Sequence, residues 1–467
     1  MVFSNNLLFG AAAATSGAAP FNTGLIGNSA WFNGTDSRMD SPSFSAQSDP
    51  TCFTFATWVQ LNSFSVTNGQ YIWSAERSGN YASISFDAND KLVAYSNPAS
   101  FTSDMVFRDI GWYHIICSYK GATNTVRMFV NGVEITNTRS NSLATNPEPV
   151  AHSHTQRIGA YYVGATGGDL YETNAYLAQT VFLDGFSFQD GDISVSDFLD
   201  TFTFGTNGSQ FIPKANSNLA TLAGTAGANS YVLDYADGDS LGNDISSKDN
   251  NFTLTNLDSA NQTLHTPSLS YPIFNALSPT FTGAGTWSEG NTKIVATSES
   301  TEAIATLPPI STGKYYYQWV FTDNASSGNC SSGMTPISNW NGKGFSAFTS
   351  GDIFYADHRN QLFRKGSTTI SSILGSSGTY ALCFDLDAGK VWVGLVDTSD
   401  GSIDWYDSSG GTTGDPANGN NPTATFTANT PMVPFTTMGK AAGTSWTMDW
   451  NFGQFGFGNS DVPTGFE

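Results

Sequence analysis

The sequence predicts an all-β protein built as two antiparallel sandwiches in tandem, joined by a short β-rich connector, and three observations carry that expectation. Aromatic and β-branched residues fall in short alternating runs punctuated by Gly and Asn, with 47 Gly and 13% Phe, Trp and Tyr among 467 residues, which is the pattern of strands and tight turns. Two segments read as complete β-hairpins: "VRMFVNGVEI" (126–135), with Asn131-Gly132 at the turn, and "YALCFDLDAGKVWVGLV" (380–396), with Asp387 to Lys390 at the turn. The chain also exceeds the ~250–300 residues at which a single core stops growing, so more than one domain is expected.

Taken in order, the opening "MVFSNNLLFGAAAATSGAAP" has no basic residue before its apolar stretch, and Asn5-Asn6 interrupts it, so it does not read as a secretion signal. An Ala/Gly/Ser-rich stretch cannot build a core alone, and residues 1–22 are expected to form an extended docking arm. Residues 23–204 carry strands in succession, among them "CFTFATWVQL", "QYIWSAE", "YASISFD", "LVAYS", "GWYHIICSYK" and "AYLAQTVFLDGFSF". In the first of these Phe53, Phe55, Thr57 and Val59 share one face. Trp58, Trp112, Phe129 and Trp392 are expected in the cores. One helix is expected, at 194–202, capped by Ser196. Residues 205–280 loosen into Asn, Asp, Ser and Thr, and are expected to form short strands and turns clasping the two sandwiches, since a structureless loop of that length is improbable. Strands return over 281–467, in "GKYYYQWVF", "YALCFDLD", "KVWVGLV" and "SWTMDWNFGQFGF".

Three sets of segments carry resemblances. "FNGTDS", "FTFATWVQ", "GWYHIICSYK", "VRMFVNGVEI" and "YLAQTVFLDGFSF" resemble, in that order, the laminin G-like domain, a concanavalin A-like jelly roll. "GKYYYQWVF", "YALCFDLDAGKVWVGLV", "TPMVPF" and "MDWNFGQFGF" are similar to the SPRY domain, a second concanavalin A-like sandwich. The stretch "YVLDYADGDSLGNDISSKDNNFTLTNLDSANQTLHTPSLSY" (231–271) resembles a connector of phage virion proteins, in which a strand precedes L-G-N-D and an N-N-F-T strand. This last resemblance implies a structural protein at the virion surface, made in the host cytoplasm: a tail or head fibre, or a capsid decoration protein. Its partners would be other virion proteins reached through the N-terminal arm, further copies of itself, and a host surface glycan. The alternative is a secreted or surface carbohydrate-binding lectin without a virion role.

Charge and chemistry narrow the function. Eighteen basic against 39 acidic residues leave a net charge of −21, which opposes binding to nucleic acid or anionic membranes, and no window approaches the ~18–20 apolar residues of a membrane span. The acids are 31 Asp and 8 Glu, a balance that suits turns. Cys52, Cys117, Cys330 and Cys383 form no CxxC pair. Cys117 and Cys383 read as small buried hydrophobes, and a Cys52–Cys117 bridge across two strands is conceivable. A sandwich glycanase needs two carboxylates ~5–9.5 Å apart. Glu299 with Glu302 falls in a Ser/Thr-rich turn, and Asp385 with Asp387 opens a hairpin, so neither pair reads as catalytic and no enzyme is expected. His152 and His154 read as exposed loop histidines. Trp112 and His114 read as structural, the imidazole bonded to backbone.

Two surfaces suit glycan recognition, where rings stack on sugars. One is the segment 152–173, with Tyr161, Tyr162 and Tyr171 among glycines. The other is the Gly/Asn-rich loop 407–424 beside Trp405 and Tyr406. Tyrosines on such surfaces suit a subunit interface equally well. No cofactor is required by anything in the sequence. The laminin G-like resemblance implies a calcium site at one sandwich rim, for which Asp36, Asp40 and Asp169 have the right chemistry.

Overall fold

The computed structural model describes residues 26–466 except 46–48, 78–79, 109–110, 147–152, 162–170, 204–208, 269–273, 275–284, 289–290, 297–300, 305–309, 324–327, 340–352, 359–360, 367, 372–376, 441–445, 454–456 and 458–461. The arm expected over 1–22 lies outside these residues. Contacts group the chain into two units that divide between Ser270 and Tyr271.

In the first unit the strands are β1 (Ser29–Asn33), β2 (Arg38–Asp40), β3 (Cys52–Leu61), β4 (Gln70–Arg77), β5 (Asn80–Phe86), β6 (Lys91–Ser96), β7 (Ala99–Val106), β8 (Tyr113–Lys120), β9 (Thr125–Val130), β10 (Val133–Ile135), β11 (Asn137–Arg139), β12 (Thr155–Ile158), β13 (Asn174–Asp184), β14 (Leu199–Thr203) and β15 (Ser209–Pro213). The helix α1 (Asn216–Thr225) follows, then β16 (Tyr231–Leu233), β17 (Thr253–Thr255) and β18 (Gln262–Thr263). Sheet one runs β10-β9-β8-β3-β13-β1-β18, and sheet two β11-β7-β6-β5-β4-β12-β2-β17. The pairings are antiparallel, as the absence of crossover helices in the sequence requires. The 126–135 hairpin is β9 and β10, with Asn131 and Gly132 both at positive φ (48° and 77°), the conformation that suits a two-residue turn to the strand twist.

The alternation of β3 resolves into two cores. Phe53, Phe55, Val59 and Leu61 join the cluster between the sheets, with Trp73, Ile84, Phe101, Ile115 and Tyr119. Ala56 and Trp58, from the opposite face, join a second cluster with Trp112, Ile116, Phe129 and Tyr176, covered by Phe188, Phe198, Leu219 and Ala223. The expected core residues Trp58, Trp112, Phe129 and Trp392 are all buried.

One expectation is corrected and one open alternative is decided. The segment 194–202 is a single 3-10 turn, Val195–Asp197, capped by Ser194 rather than Ser196, whose Asp197 carboxylate takes the Ser194 amide at 2.7 Å. Leu199 onward is strand, pairing with Ser209–Pro213. The helix of the unit is instead α1, which seats Leu219 and Ala223, spaced i and i+4, on the second core. No disulfide joins Cys52 and Cys117: both thiols are free and buried.

The segment expected to be a connector is tied into the first unit as far as Thr266. Strand β13 is longer than its neighbour β1, which pairs only with Asn174–Leu177; the free edge at Thr180–Phe182 is taken by β16. Strand β17 extends sheet two beside β2, and β18 extends sheet one beside β1. Asp244 holds this clasp. Its buried carboxylate accepts the amides of Val232, Ser246 and Asn250, each at 2.9 Å, and the Ser246 hydroxyl at 2.9 Å. Gly242 lies so close to the returning chain that a Cβ there would stand 2.4 Å from the Phe252 carbonyl oxygen. The L-G-N-D and N-N-F-T motifs are therefore the two sides of one turn.

In the second unit one sheet runs Gly285–Ser288, Lys293–Ala296, Trp446–Asn451, Lys314–Asp323, Gly378–Asp385, Lys390–Val396 and Ile403–Trp405. The other runs Thr301–Ile304, Met432–Lys440, Gly328–Pro336, Phe354–Asp357, Leu362–Lys365 and Thr368–Ser371. Trp319, Phe354, Phe363, Leu382, Val393, Met448 and Trp450 fill the space between them. The hairpin at 380–396 is present, with Gly389 at φ 63° in its turn.

Candidate functional site

The two outer faces of the first unit are used differently. Sheet one buries its outer face under α1 and the segment 186–199, whereas none of the residues of β4 to β7 joins an outer apolar cluster among the described residues. That face of sheet two carries tyrosines instead. Tyr81 alternates with the core residue Ala82, and Tyr95 with the core residue Ala94, so both rings point outward. Tyr71 stands at the register shift of β4 against β5. Tyr161 follows β12, and Tyr171 precedes β13.

These five half-buried rings form a continuous ladder. Tyr95 stacks on Tyr81 at 4.6 Å, and Tyr81 meets Tyr161 edge-on at 5.1 Å. Tyr161 lies 4.8 Å from Tyr71, which stacks on Tyr171 at 5.8 Å. Small side chains, Ser74, Ser83 and Ser85, lie on the strands between them. The Tyr95 hydroxyl donates to Asn97 Oδ1 at 3.2 Å.

Burial, reinforced by the neighbouring Tyr81 hydroxyl, pushes the Tyr95 phenol up to about 12 and raises Tyr161 as well. Tyr71 is raised by burial and by Tyr81 and Tyr171. The three phenols therefore stay neutral at physiological pH. Each offers a π-face and an O–H able to donate and accept, which is what recognition of a sugar ring and its hydroxyls requires.

Of the tyrosines expected at this surface, Tyr161 and Tyr171 are brought together, and Tyr162 lies outside the described residues. Tyr71, Tyr81 and Tyr95 were missed. Each is the outward tyrosine of a run recognised as a strand, and reading the outward positions of adjacent runs together would have found them.

The loop 407–424 is organised by its own carboxylates. Asp407 accepts the amide and hydroxyl of Ser409 at 2.8 and 2.6 Å, the Gly411 amide at 3.1 Å and the Thr413 hydroxyl at 2.6 Å, and the Ser409 and Thr413 bonds hold its carboxyl well below the usual range. Asp415 likewise accepts from Asn418 and Asn420. An open hollow of about 550 Å³ is lined by Asp407, Ser409, Thr413, Asn421 and Pro422. The rings of Trp405 and Tyr406 part company: Trp405 packs edge-on to Tyr316 at 6.3 Å, while Tyr406 packs against the core between the sheets.

Asp40, one of the expected calcium ligands, is bound to Arg157 at 2.6 Å and Arg38 at 3.4 Å. Asp36 accepts from the Asn33 side chain at 2.8 Å, and Asp169 lies outside the described residues. No group of three His, Cys, Asp or Glu able to hold a metal occurs among the described residues. His154 is not exposed as expected: it is buried, edge-on to Phe44 at 5.6 Å and 3.1 Å from Gln156. His152 is outside the described residues. His114 is buried beside Trp58, but its Nδ1 finds no hydrogen-bond partner, so the expected backbone bond is not made there. Asp385 pairs with Lys314 at 3.3 Å and accepts the Ala388 amide, and Asp387 accepts the Gly313 amide, so both are occupied in the hairpin.

Residues 32–185 match the family model described as the concanavalin A-like lectin/glucanases superfamily. No curated protein sequence matches the chain. Among solved structures, domains LG4-5 of the mouse laminin alpha1 chain are 10% identical, with 91% of this chain and 85% of that chain covered and a TM-score of 0.32. The SPRY domain of human HERC1 is 13% identical, with 38% of this chain and 96% of that chain covered and a TM-score of 0.26. A heptameric pentraxin from Limulus polyphemus is 15% identical, with 34% and 76% covered and a TM-score of 0.28. The family match therefore lies within the first unit and spans about a third of the chain.

Proposed function

We propose that the protein is a non-catalytic glycan-binding protein whose ligand lies along the tyrosine ladder of sheet two. The ladder itself carries this reading: five aromatic rings in a continuous run of contacts on the outer face of sheet two, which joins no outer apolar cluster among the described residues. Such rings supply contact area at low entropic cost and hydroxyls for hydrogen bonding. The test is a glycan array with the purified full chain, comparing wild type with Tyr161→Ala/Tyr171→Ala. Loss of glycan binding with unchanged oligomeric state supports the reading. Loss of the oligomer, with binding retained by what remains assembled, assigns the rings to a subunit interface.

The setting we propose is display on a phage particle as a fibre or decoration protein, contacting a host surface glycan. It rests on the resemblance of 231–271 to virion connectors and on the acidic composition, which suits a soluble protein present in many copies. A secreted or surface lectin is the second reading, favoured by the lectin-type match over 32–185. Mass spectrometry of purified particles separates the two.

A further inference from the structure

The rings of the tyrosine ladder are evenly spaced. From Tyr95 through Tyr81, Tyr161 and Tyr71 to Tyr171, successive centroids stand 4.6, 5.1, 4.8 and 5.8 Å apart, each step about the length of one pyranose unit in a glycan chain. A single sugar therefore covers one or two rings, and only a ligand several units long touches all five. The rings do not share a plane: Tyr161 is turned 82° from Tyr81 and 45° from Tyr71. A flat, crystalline polysaccharide surface cannot rest on all of them at once, whereas a single chain that twists along its length can.

Strand register sets the chemistry beside the rings. Ser83 faces Tyr95, Ser85 faces Tyr71, and Ser74 faces Ser83. All three serines are buried, so they put no bulk between ring and ligand. The same register sets Glu76 beside Tyr81 and Arg157 beside Ser74, with Asp40 next in the row. Asp40 engages both nearby guanidiniums, Arg157 at 2.6 Å and Arg38 at 3.4 Å, and Glu172 follows Tyr171 in the chain. Among the side chains described beside the ladder, the carboxylates of Asp40, Glu76 and Glu172 thus outnumber the guanidiniums of Arg38 and Arg157. An acidic sugar seeks the opposite balance, a positive excess with a guanidinium fork to receive it, and the net charge of −21 repels it at longer range. At the Tyr95 end the row closes on neutral amides: the Tyr95 hydroxyl donates to Asn97 Oδ1 at 3.2 Å, and the Asn97 amide donates to Asn80 Oδ1 at 2.6 Å. Amides and phenols supply donors and acceptors for sugar hydroxyls without charge.

Resting on the glycan-binding reading above, we propose that the ladder takes a neutral, unbranched glycan as a single chain of about five units and grips it along its length rather than at one end. Each added sugar engages a further ring until the row is used up.

The test uses the purified full chain and calorimetry with soluble, unbranched oligosaccharides from disaccharide to octasaccharide. One series is neutral, of the hexose and linkage that the glycan array favours; the other is acidic, of galacturonic acid and of hyaluronan. Affinity should rise at least about tenfold from the neutral disaccharide to the pentasaccharide and then level off, with no dependence on salt and with the acidic series weaker at every length. Tyr95→Ala and Tyr171→Ala, at the two ends of the row, should each cost the pentasaccharide about threefold or more and the disaccharide less, because a short ligand still finds the middle rings. Melting temperatures check that both variants fold; should either not, the length and charge series of the wild type decides alone. Affinity independent of length, preference for the acidic series, equal losses for short and long ligands in the end variants, or tighter binding to an insoluble crystalline form than to soluble chains of the same sugar overturns the proposal. In each of those cases, glycan binding that Tyr161→Ala/Tyr171→Ala abolishes leaves the broader glycan-binding reading standing. Binding to no glycan of any class overturns both.

Discussion

Replacing Asp244 by Ala removes one carboxylate and strands three backbone donors at once. Of the three, the Val232 and Ser246 amides belong to buried residues, whereas Asn250 is half exposed and can turn to water. A hydrogen bond to a charged group contributes ~1.5–3 kcal/mol, and an abandoned buried donor costs ~1–3 kcal/mol. Two buried donors therefore put the loss at about 3–6 kcal/mol, with little added by Asn250. Asp244→Asn, which keeps one acceptor oxygen in the same place, should lose less than half of that. The assay is urea unfolding of the full chain followed by tryptophan fluorescence, with hydrogen exchange at the Val232 amide as a local readout. The transition of the first unit should move to lower urea and the Val232 amide should lose protection, while the second unit unfolds as in wild type. A shift below about 1 kcal/mol in Asp244→Ala, or equal shifts in the Ala and Asn variants, would refute the role of the carboxylate as the hub of the clasp.

Replacing Trp58, Trp112, Phe129 or Trp392 by Ala should cost ~3–5 kcal/mol each in denaturant unfolding, because all four are buried. In the second unit, burial holds His358 down to about 3, its Nε2 accepting from the Trp319 indole at 3.0 Å. The unfolded chain takes up a proton near pH 6.5 and the folded unit does not, so stability should fall as pH drops below ~6.5, by about 1.4 kcal/mol per pH unit. His358→Gln should flatten that slope between pH 6.5 and 4.5, and a wild-type slope of zero would contradict the burial. Deleting residues 1–20 should leave both units folded by circular dichroism, since their described strands begin at Ser29. If the virion setting is right, the deletion also abolishes incorporation into particles, which quantitative mass spectrometry would count.

Strand-forming segments were legible because alternation is a local signal. The turn Asn131-Gly132 was legible for the same reason: two adjacent residues tolerate positive φ, and that alone specifies the hairpin. What failed was either weak locally or nonlocal. Helix α1 has only Leu219 and Ala223 to bury, too few for a helical period to stand out, while "SVSDFLDTF" imitated a capped helix with a Ser and an acid at capping spacing. The clasp was read as a segment apart because its purpose depends on a vacancy elsewhere: the edge of β13 that β1 leaves unpaired is not visible in residues 205–280.

The tyrosine ladder was half legible for a related reason. Tyr161 and Tyr171 drew notice through the glycines around them, whereas Tyr71, Tyr81 and Tyr95 sat in runs already explained as strands. A strand's outward residue looks like ordinary polar-face filling until its neighbours across the sheet are known, and cross-strand register brings Tyr95 opposite Ser83, two residues from Tyr81. The same register sets what a change on each face costs. Sheet one has given its outer positions, Ala56, Trp58, Ile116 and Phe129, to a second core, so a change there costs folding energy before it can alter binding. Sheet two keeps its folding residues inward, at Ala82, Ile84 and Ala94, so a change at its outward, half-buried tyrosines costs less folding energy. Among the described residues, the second apolar cluster on sheet one alone therefore separates the residues that hold this sandwich together from the outward rings of sheet two, which is why the glycan-binding proposal rests on the latter.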